Sequence, residues 1–381
     1  MSTAAFKRLM SENTFRRYWT TYKEFRANHL SQGLIALYRL GANEQEMASF
    51  TKWYGDLLVD ATPFLKEQKE QSLPADLNSI LGKATHYYPL LSHFENLLRT
   101  KYNGCAKALV AAEFPQYCRG AGSYIFHCLI EIGYGLGADE PIVVCQGLAW
   151  IHHNYRPIQC AMDELAVGDR KAGTKSPLQM LEQAAADPVL LALVKPSMKG
   201  GMGSLVYHIF EQEGARLLHH VNHLALPSLQ ADQLNATELG ADIVDAAIAV
   251  YAFAEKRNSF ALLHGVTGAW SLFQILQCLH PTKNDILVSA RAFLVVLVAT
   301  YVGVGHPTLH PEYLLTADSP ENAESWDSIA KRAINVEAQD TLEHVYKLVQ
   351  VCKDMLALRP QNELLYKTAA LICLDKPQAF P

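Results

Sequence analysis

The residues of this chain best suited to chemistry are its histidines. Of fifteen, four stand in apolar helical surroundings with small or polar neighbours. They are Asn28-His29-Leu30, Phe126-His127-Cys128, Leu263-His264-Gly265-Val266-Thr267-Gly268 and Glu343-His344-Val345-Tyr346-Lys347. An imidazole in such a place is either a hydrogen-bonded core residue or a metal ligand. Gly265, Gly268 and Ala269 leave space beside His264 of the kind a ligand or substrate needs. His344 and Lys347 are three residues apart, so a helix puts them on one face. Lys347 has two readings. Its ammonium reaches solvent at a domain edge and pairs with Glu343 four residues earlier. Alternatively it is buried as the neutral amine, which carbon dioxide attacks to give a carbamate, a carboxylate mimic and metal ligand.

The other histidines carry weaker signals. His86, His152, His153, His280, His306 and His310 read as loop or surface residues. In Leu217-Leu218-His219-His220-Val221-Asn222-His223, His220 and His223 share a face at i,i+3 and form a second, less complete metal candidate. Gly133-Tyr134-Gly135-Leu136-Gly137-Ala138 fits GxGxxG/A literally. A dinucleotide fingerprint needs a strand before it and a helix after it, whereas these glycines read as a helix stop. HExxH, GxSxG, the P-loop ending GK[ST] and the ExxH pair of di-iron bundles are all missing.

Helices must position these groups, because the apolar periodicity is helical almost throughout. Phe15, Tyr18, Tyr22, Phe25, His29, Leu30 and Leu34 predict one helix across 14–40, stopped at Gly41. A second stretch spans 44–65, with Pro63 ending its regular part. Further helices are expected over 87–101, over 105–136 with a break near 118–122, and over 140–153 with Pro141 in the first turn. They resume over 204–225, 237–256, 259–279, 284–302, 322–334, 337–357 and 361–374. The segment 165–204, with Gly168, Gly173, Pro177, Pro188, Pro196 and Lys199-Gly200-Gly201-Met202-Gly203, reads as a loop-rich insertion or lid. The expectation is all-α: a large multi-helix single domain over 1–381, enclosing a buried histidine-lined pocket.

Composition narrows the function. The chain has 381 residues, half of them hydrophobic and 19% charged, with a formal net charge of −5. That supports a large core and offers no basic field for nucleic acid. Eight scattered cysteines without a CxxC pair read as reduced thiols rather than a disulfide framework. The N-terminal residues carry charges throughout and lack a signal-peptide core. The apolar run 292–305 is shorter than the about 18 to 20 residues a spanning helix needs. A cytoplasmic protein without membrane or nucleic-acid partners is expected.

In their order and separations, Asn28-His29-Leu30 with Leu40-Gly41-Ala42, His127 with Gly133-Tyr134-Gly135, Leu263 to Ala269, and His344 to Lys347 resemble the questin oxidase-like family of helical proteins. The resemblance runs from about residue 20 to 375. It implies oxidative opening of anthraquinone-type polyketide rings by mono- or dioxygenase or Baeyer–Villiger chemistry, in some members with reduced nicotinamide (NADPH). It also implies a non-haem iron, Fe(2+), held by His29, His127, His264 and His344 with a carboxylated Lys347. Dioxygen and a small aromatic or polyketide-like molecule would be the substrates. Imidazole and carboxylate suit Fe(II), and a metal that binds dioxygen needs no flavin. Two other readings stand beside this one. One is a metal-free NADPH-dependent oxidoreductase, and the other is a non-catalytic helical ligand-binding protein whose histidines are structural.

Overall fold

The computed structural model describes residues 3–23, 26–69, 71–161, 164–165, 173–194, 201–230, 234–255, 258–279, 283–337 and 342–376. In chain order the first helices are α1 (Thr3–Glu12), α2 (Leu30–Leu40), α3 (Glu44–Gly55), α4 (Thr62–Gln68), α5 (Tyr87–Thr100), α6 (Ala106–Glu113), α7 (His127–Gly137) and α8 (Pro141–His153). Then come α9 (Pro177–Ala185), α10 (Pro188–Leu193), α11 (Gly201–Asn222), α12 (Pro227–Gln230) and α13 (Ala236–Phe253). The last are α14 (Phe260–Leu276), α15 (Lys283–Gly303), α16 (Trp326–Ile334), α17 (Leu342–Leu358) and α18 (Glu363–Asp375). The protein is all-α. One two-stranded hairpin, β1 (Thr21–Tyr22) against β2 (Arg26–Ala27), is the only sheet among the described residues.

That hairpin falls inside the helix expected over 14–40. The chain breaks there because Asn28 hydrogen-bonds locally instead of continuing a helix: its backbone N–H donates to the Thr20 carbonyl at 2.9 Å, its Nδ2 donates to the Trp19 carbonyl at 3.0 Å, and its Oδ1 accepts the Leu30 N–H at 3.0 Å. Only the second half of the stretch, α2, is helical, and it stops at Gly41 as expected, with φ of 105°. Pro63 also acts differently from expectation. It sits in the first turn of α4, where its missing N–H costs nothing, and so it starts a helix rather than ending one.

The glycines of α7 are not all a helix stop. Gly133 and Gly135 lie inside the helix, where close approach needs them. A Cβ at Gly133 would stand 2.3 Å from the Ser271 Cα of α14, and one at Gly135 would stand 2.7 Å from the Val144 nitrogen of α8. The left-handed residue after α7 is Asp139, with φ of 52°, not a glycine. These contacts draw α7, α8 and α14 together into the centre of the molecule. α15 completes that core. It is long and apolar enough to cross a membrane, but 94% of its most apolar 18-residue window is buried inside the protein, which accounts for its composition.

Within the segment 165–204, α9 and α10 are short helices, each with a proline in the first turn, and α11 begins at Gly201. Gly168, Pro196, Lys199 and Gly200 lie outside the described residues, as does His280. His152 and His153 correct the surface reading. Both are buried in α8, at 1% and 6% exposure. His152 bridges the Tyr117 hydroxyl (2.9 Å) and the Leu77 carbonyl (3.2 Å), as a satisfied core histidine does.

Two outcomes follow from this packing. Gly133→Ala should lower stability by about 1–3 kcal/mol through overpacking against α14, read from urea denaturation; an unchanged midpoint would mean that the two helices can separate freely. Burial pushes both His152 and His153 down to about 4. Between pH 4 and the unfolded value of about 6.5 the unfolded chain therefore binds more protons, so stability present above this window is lost as pH falls through it. The urea midpoint should drop from pH 7 to pH 4.5, and His152→Gln should flatten that drop. Parallel profiles would exclude His152 as a contributor.

Candidate metal centre

Four histidines from four separate elements meet in one buried cluster. His29 precedes α2, fixed by the Asn28 turn and by its own backbone N–H, which donates to the Tyr54 hydroxyl at 3.1 Å. His127 opens α7, His264 lies in the second turn of α14, and His344 lies in the first turn of α17. Ring centroids stand 4.6 Å apart for His127–His264, 4.8 Å for both His29–His127 and His264–His344, 4.9 Å for His29–His344 and 5.9 Å for His29–His264. The most exposed of the four, His127, is at 7%.

An unusual backbone positions His127. Tyr124, Ile125 and Phe126 have φ of 52°, 50° and 66°, three successive non-glycine residues in the left-handed region. This turn lets the Tyr124 carbonyl accept from His127 Nδ1. His264 Nδ1 likewise donates to the Phe260 carbonyl at 2.7 Å. A carbonyl only accepts, so Nδ1 carries the proton in both rings and Nε2 keeps its lone pair. The small residues beside His264 serve packing rather than ligand space. A Cβ at Gly268 would meet Phe126 at 3.1 Å, and one at Gly265 would meet Leu297 at 2.8 Å.

The donor atoms of His29, His264 and His344 all lie within 4.8 Å of one another. His264 Nε2 and His344 Nε2 are 3.2 Å apart. Two nitrogens bound side by side to one divalent ion at about 2.1 Å each would be separated by about 3 Å. The donor set therefore fits a metal ion. Glu343 Oε1 stands 3.1 Å from His344 Nδ1.

Lys347 is fully buried, at 0% exposure, so the solvent-reaching arrangement does not occur. Its Nζ lies 3.3 Å from His29 Nδ1. That nitrogen is also 2.6 Å from Gln32 Oε1, while Gln32 Nε2 donates to Glu131 Oε2 at 2.7 Å and Ser31 Oγ donates to the same carboxylate at 2.9 Å. With Gln32 held in that orientation its Oε1 must accept from His29 Nδ1–H. Lys347 Nζ then faces a donor, and only a neutral amine has a lone pair to offer it. Burial pushes Lys347 down to about 7, against the opposing pull of Glu343 and Glu131. Burial also raises the Glu131 carboxyl to about 7, while Gln32, Ser31 and Lys347 draw it back. The imidazoles respond in the same direction: desolvation, then the neighbouring Lys347, holds His29 well below its ordinary value and His127 at about 3.

The alternative site at His219, His220 and His223 is arranged differently from the spacing argument. His220 Nε2 is taken by Asp187 Oδ2 at 3.0 Å, and Asp187 also binds Arg216. The ring facing His223 is His219, at 4.6 Å. Sequence reasoning missed Gln32 and Glu131 around the main cluster, and it read Glu343 only as a partner for a solvent-reaching Lys347. Glu131 did carry a signal: it is the one charge in the apolar run Phe126 to Leu136, four residues from His127 and so on the same helix face.

The questin oxidase-like family model matches residues 26–352, a span that contains the whole cluster. The chain is also similar to the Baeyer-Villiger oxidase ptaJ of Pestalotiopsis fici, at 22% identity over 345 residues, covering 86% of this chain and 74% of that protein. Together with the buried imidazoles these matches settle the assignment: the chain belongs to the questin oxidase-like family and is an oxidoreductase.

Proposed function

We propose that this protein is a non-haem iron(II) oxygenase that uses dioxygen to oxidise, by Baeyer–Villiger-type insertion or ring cleavage, a small aromatic polyketide. The observation that carries the reading is the meeting of His29, His127, His264, His344 and Lys347 in one dry site. The similarity to a Baeyer-Villiger oxidase supports the reaction class. The metal would be held by the four imidazoles and by Lys347 as its carbamate. When bound it supplies dioxygen activation, which no side chain here can perform alone.

The chain's own residues do the rest. The Tyr124 and Phe260 carbonyls hold the His127 and His264 rings through Nδ1, which leaves Nε2 of each with its lone pair, and Glu343 stands beside His344. Carbamate formation joins Lys347 Nζ to the carbon of carbon dioxide and releases one proton from the nitrogen. It turns a neutral amine into an anion that offsets the charge of a divalent cation in a low-dielectric site. Aromatic rings around the cluster, Tyr54, Tyr124, Trp150 and Phe260, exclude water. A nicotinamide reductant would be a diffusible donor, because the α7 glycines are packed against α8 and α14 and cannot cradle a pyrophosphate. The segment 165–204 would close over the substrate; Gly203, at its end, packs on Ile125 two residues before His127.

Purified protein should hold near-stoichiometric iron, or zinc or nickel in its place. His29→Ala and His264→Ala should each lower metal affinity at least tenfold, and Lys347→Ala should do the same with partial recovery in added formate. Oxygen uptake with an added anthrone should require the metal. Full wild-type metal content in His264→Ala, measured by elemental analysis at equal pH, would sink the proposal.

A further inference from the structure

The end of α11 gathers three histidines that the buried cluster does not use. His220 is engaged: its Nε2 pairs with Asp187 Oδ2 at 3.0 Å, and Arg216 Nη1 holds the same oxygen at 3.1 Å. That leaves His219 and His223, four residues apart and both exposed to solvent. The chain stays wound one residue past the end of α11, because the His223 N–H donates to the His220 carbonyl at 3.0 Å. The His223 carbonyl in turn accepts from the Lys175 N–H at 3.0 Å, which fixes the backbone there. The two imidazoles therefore share one face, with ring centroids 4.6 Å apart and ring planes at 86°.

Two histidines at i and i+4 on a helix face can grip one ion, as they do in the HExxH arrangement. An ion about 2.1 Å from each nitrogen stands about 3.2 Å from each ring centre, so two rings chelating it at about 90–110° have centroids about 4.5–5.2 Å apart. The spacing of His219 and His223 lies in that range. Their place on the helix favours a cation as well. The aligned peptide dipoles put partial negative charge at the C-terminal turn, which is where this pair sits.

We propose that His219 and His223 form a second, solvent-facing metal site that takes one divalent late transition ion. Each ring gives one nitrogen lone pair, and water completes the coordination. Imidazole donors favour copper(II) most, then nickel and zinc, and they do not suit calcium or magnesium, which take oxygen ligands. The site uses none of the five cluster residues, so it stands or falls separately from the metal-centre reading. A metal count of the whole chain then sums two unlike sites, an exposed one open to chelators and a buried one shielded from them.

The test titrates the full chain, free of any polyhistidine tag and washed with EDTA, with nickel ion in a calorimeter. His219→Ala and His223→Ala should each weaken nickel binding at the exposed site at least tenfold, while His220→Gln leaves it within twofold. Magnesium in place of nickel should give no binding heat. Both alanine variants change exposed side chains, and circular dichroism checks that they fold. The His264→Ala background separates the two sites. Uptake of one nickel that persists in His264→Ala and is lost on adding His219→Ala supports the exposed site, even if the cluster proves to hold no metal. Uptake that vanishes in His264→Ala alone belongs to the cluster and overturns the exposed site. Full nickel binding in both His219→Ala and His223→Ala, or none in the wild-type chain, overturns it equally.

Discussion

Everything in this structure answers to the cost of placing ionisable groups in a dry helical core. Four imidazoles, one lysine and two carboxylates, Glu131 and Glu343, are buried together within the reach of a few bonds. Desolvation disfavours the charged forms, so His29, His127, His264 and the Lys347 amine are pushed towards neutrality and the Glu131 carboxyl is pushed up. Neutrality is what ligation requires, because a protonated imidazole or ammonium has no lone pair for a cation. The same burial that would be a liability in a structural core prepares this group for chemistry.

Such a group is stable only if its polar atoms point correctly, and the scaffold shows how that is done. Backbone carbonyls of Tyr124 and Phe260 take the Nδ1 protons of His127 and His264. For His29 the same task falls to a side-chain chain, Gln32 held by Glu131, which is itself held by Ser31. The left-handed turn at Tyr124–Phe126 is the conformational cost of this arrangement. Packing against the small face of Gly268 and the ring of Phe293 keeps it in place. Close approach of the helices does the rest. Gly133 lets α14 sit against α7, and Gly33 leaves room for Phe50 and for Glu343 of α17. Without those small residues the helices bearing His127, His264 and His344 would stand further apart, and their imidazoles with them.

The sequence by itself determined the helical class, most helix boundaries after residue 87, the stop at Gly41, and the five residues that meet in the cluster. Those features are written in local terms: a 3.6-residue period, a glycine at a left-handed position, and polar residues set in apolar helices. Tertiary structure decided the rest. The hairpin before His29 depends on Asn28 reaching Trp19 and Thr20, and no periodicity in the stretch encodes that reach. The glycines of α7 and of the segment after His264 looked like a stop and a ligand space. They are helix contacts, because what fills the room beside a glycine is set by distant residues: Ser271 beside Gly133 and Phe126 beside Gly268 are each over a hundred positions away, and Leu297 beside Gly265 is about thirty. Lys347 was equally suited to solvent or to the interior on its own helix. The packing of α17 against α2 and α14 removed the solvent, and with it the proton that the ammonium would have kept.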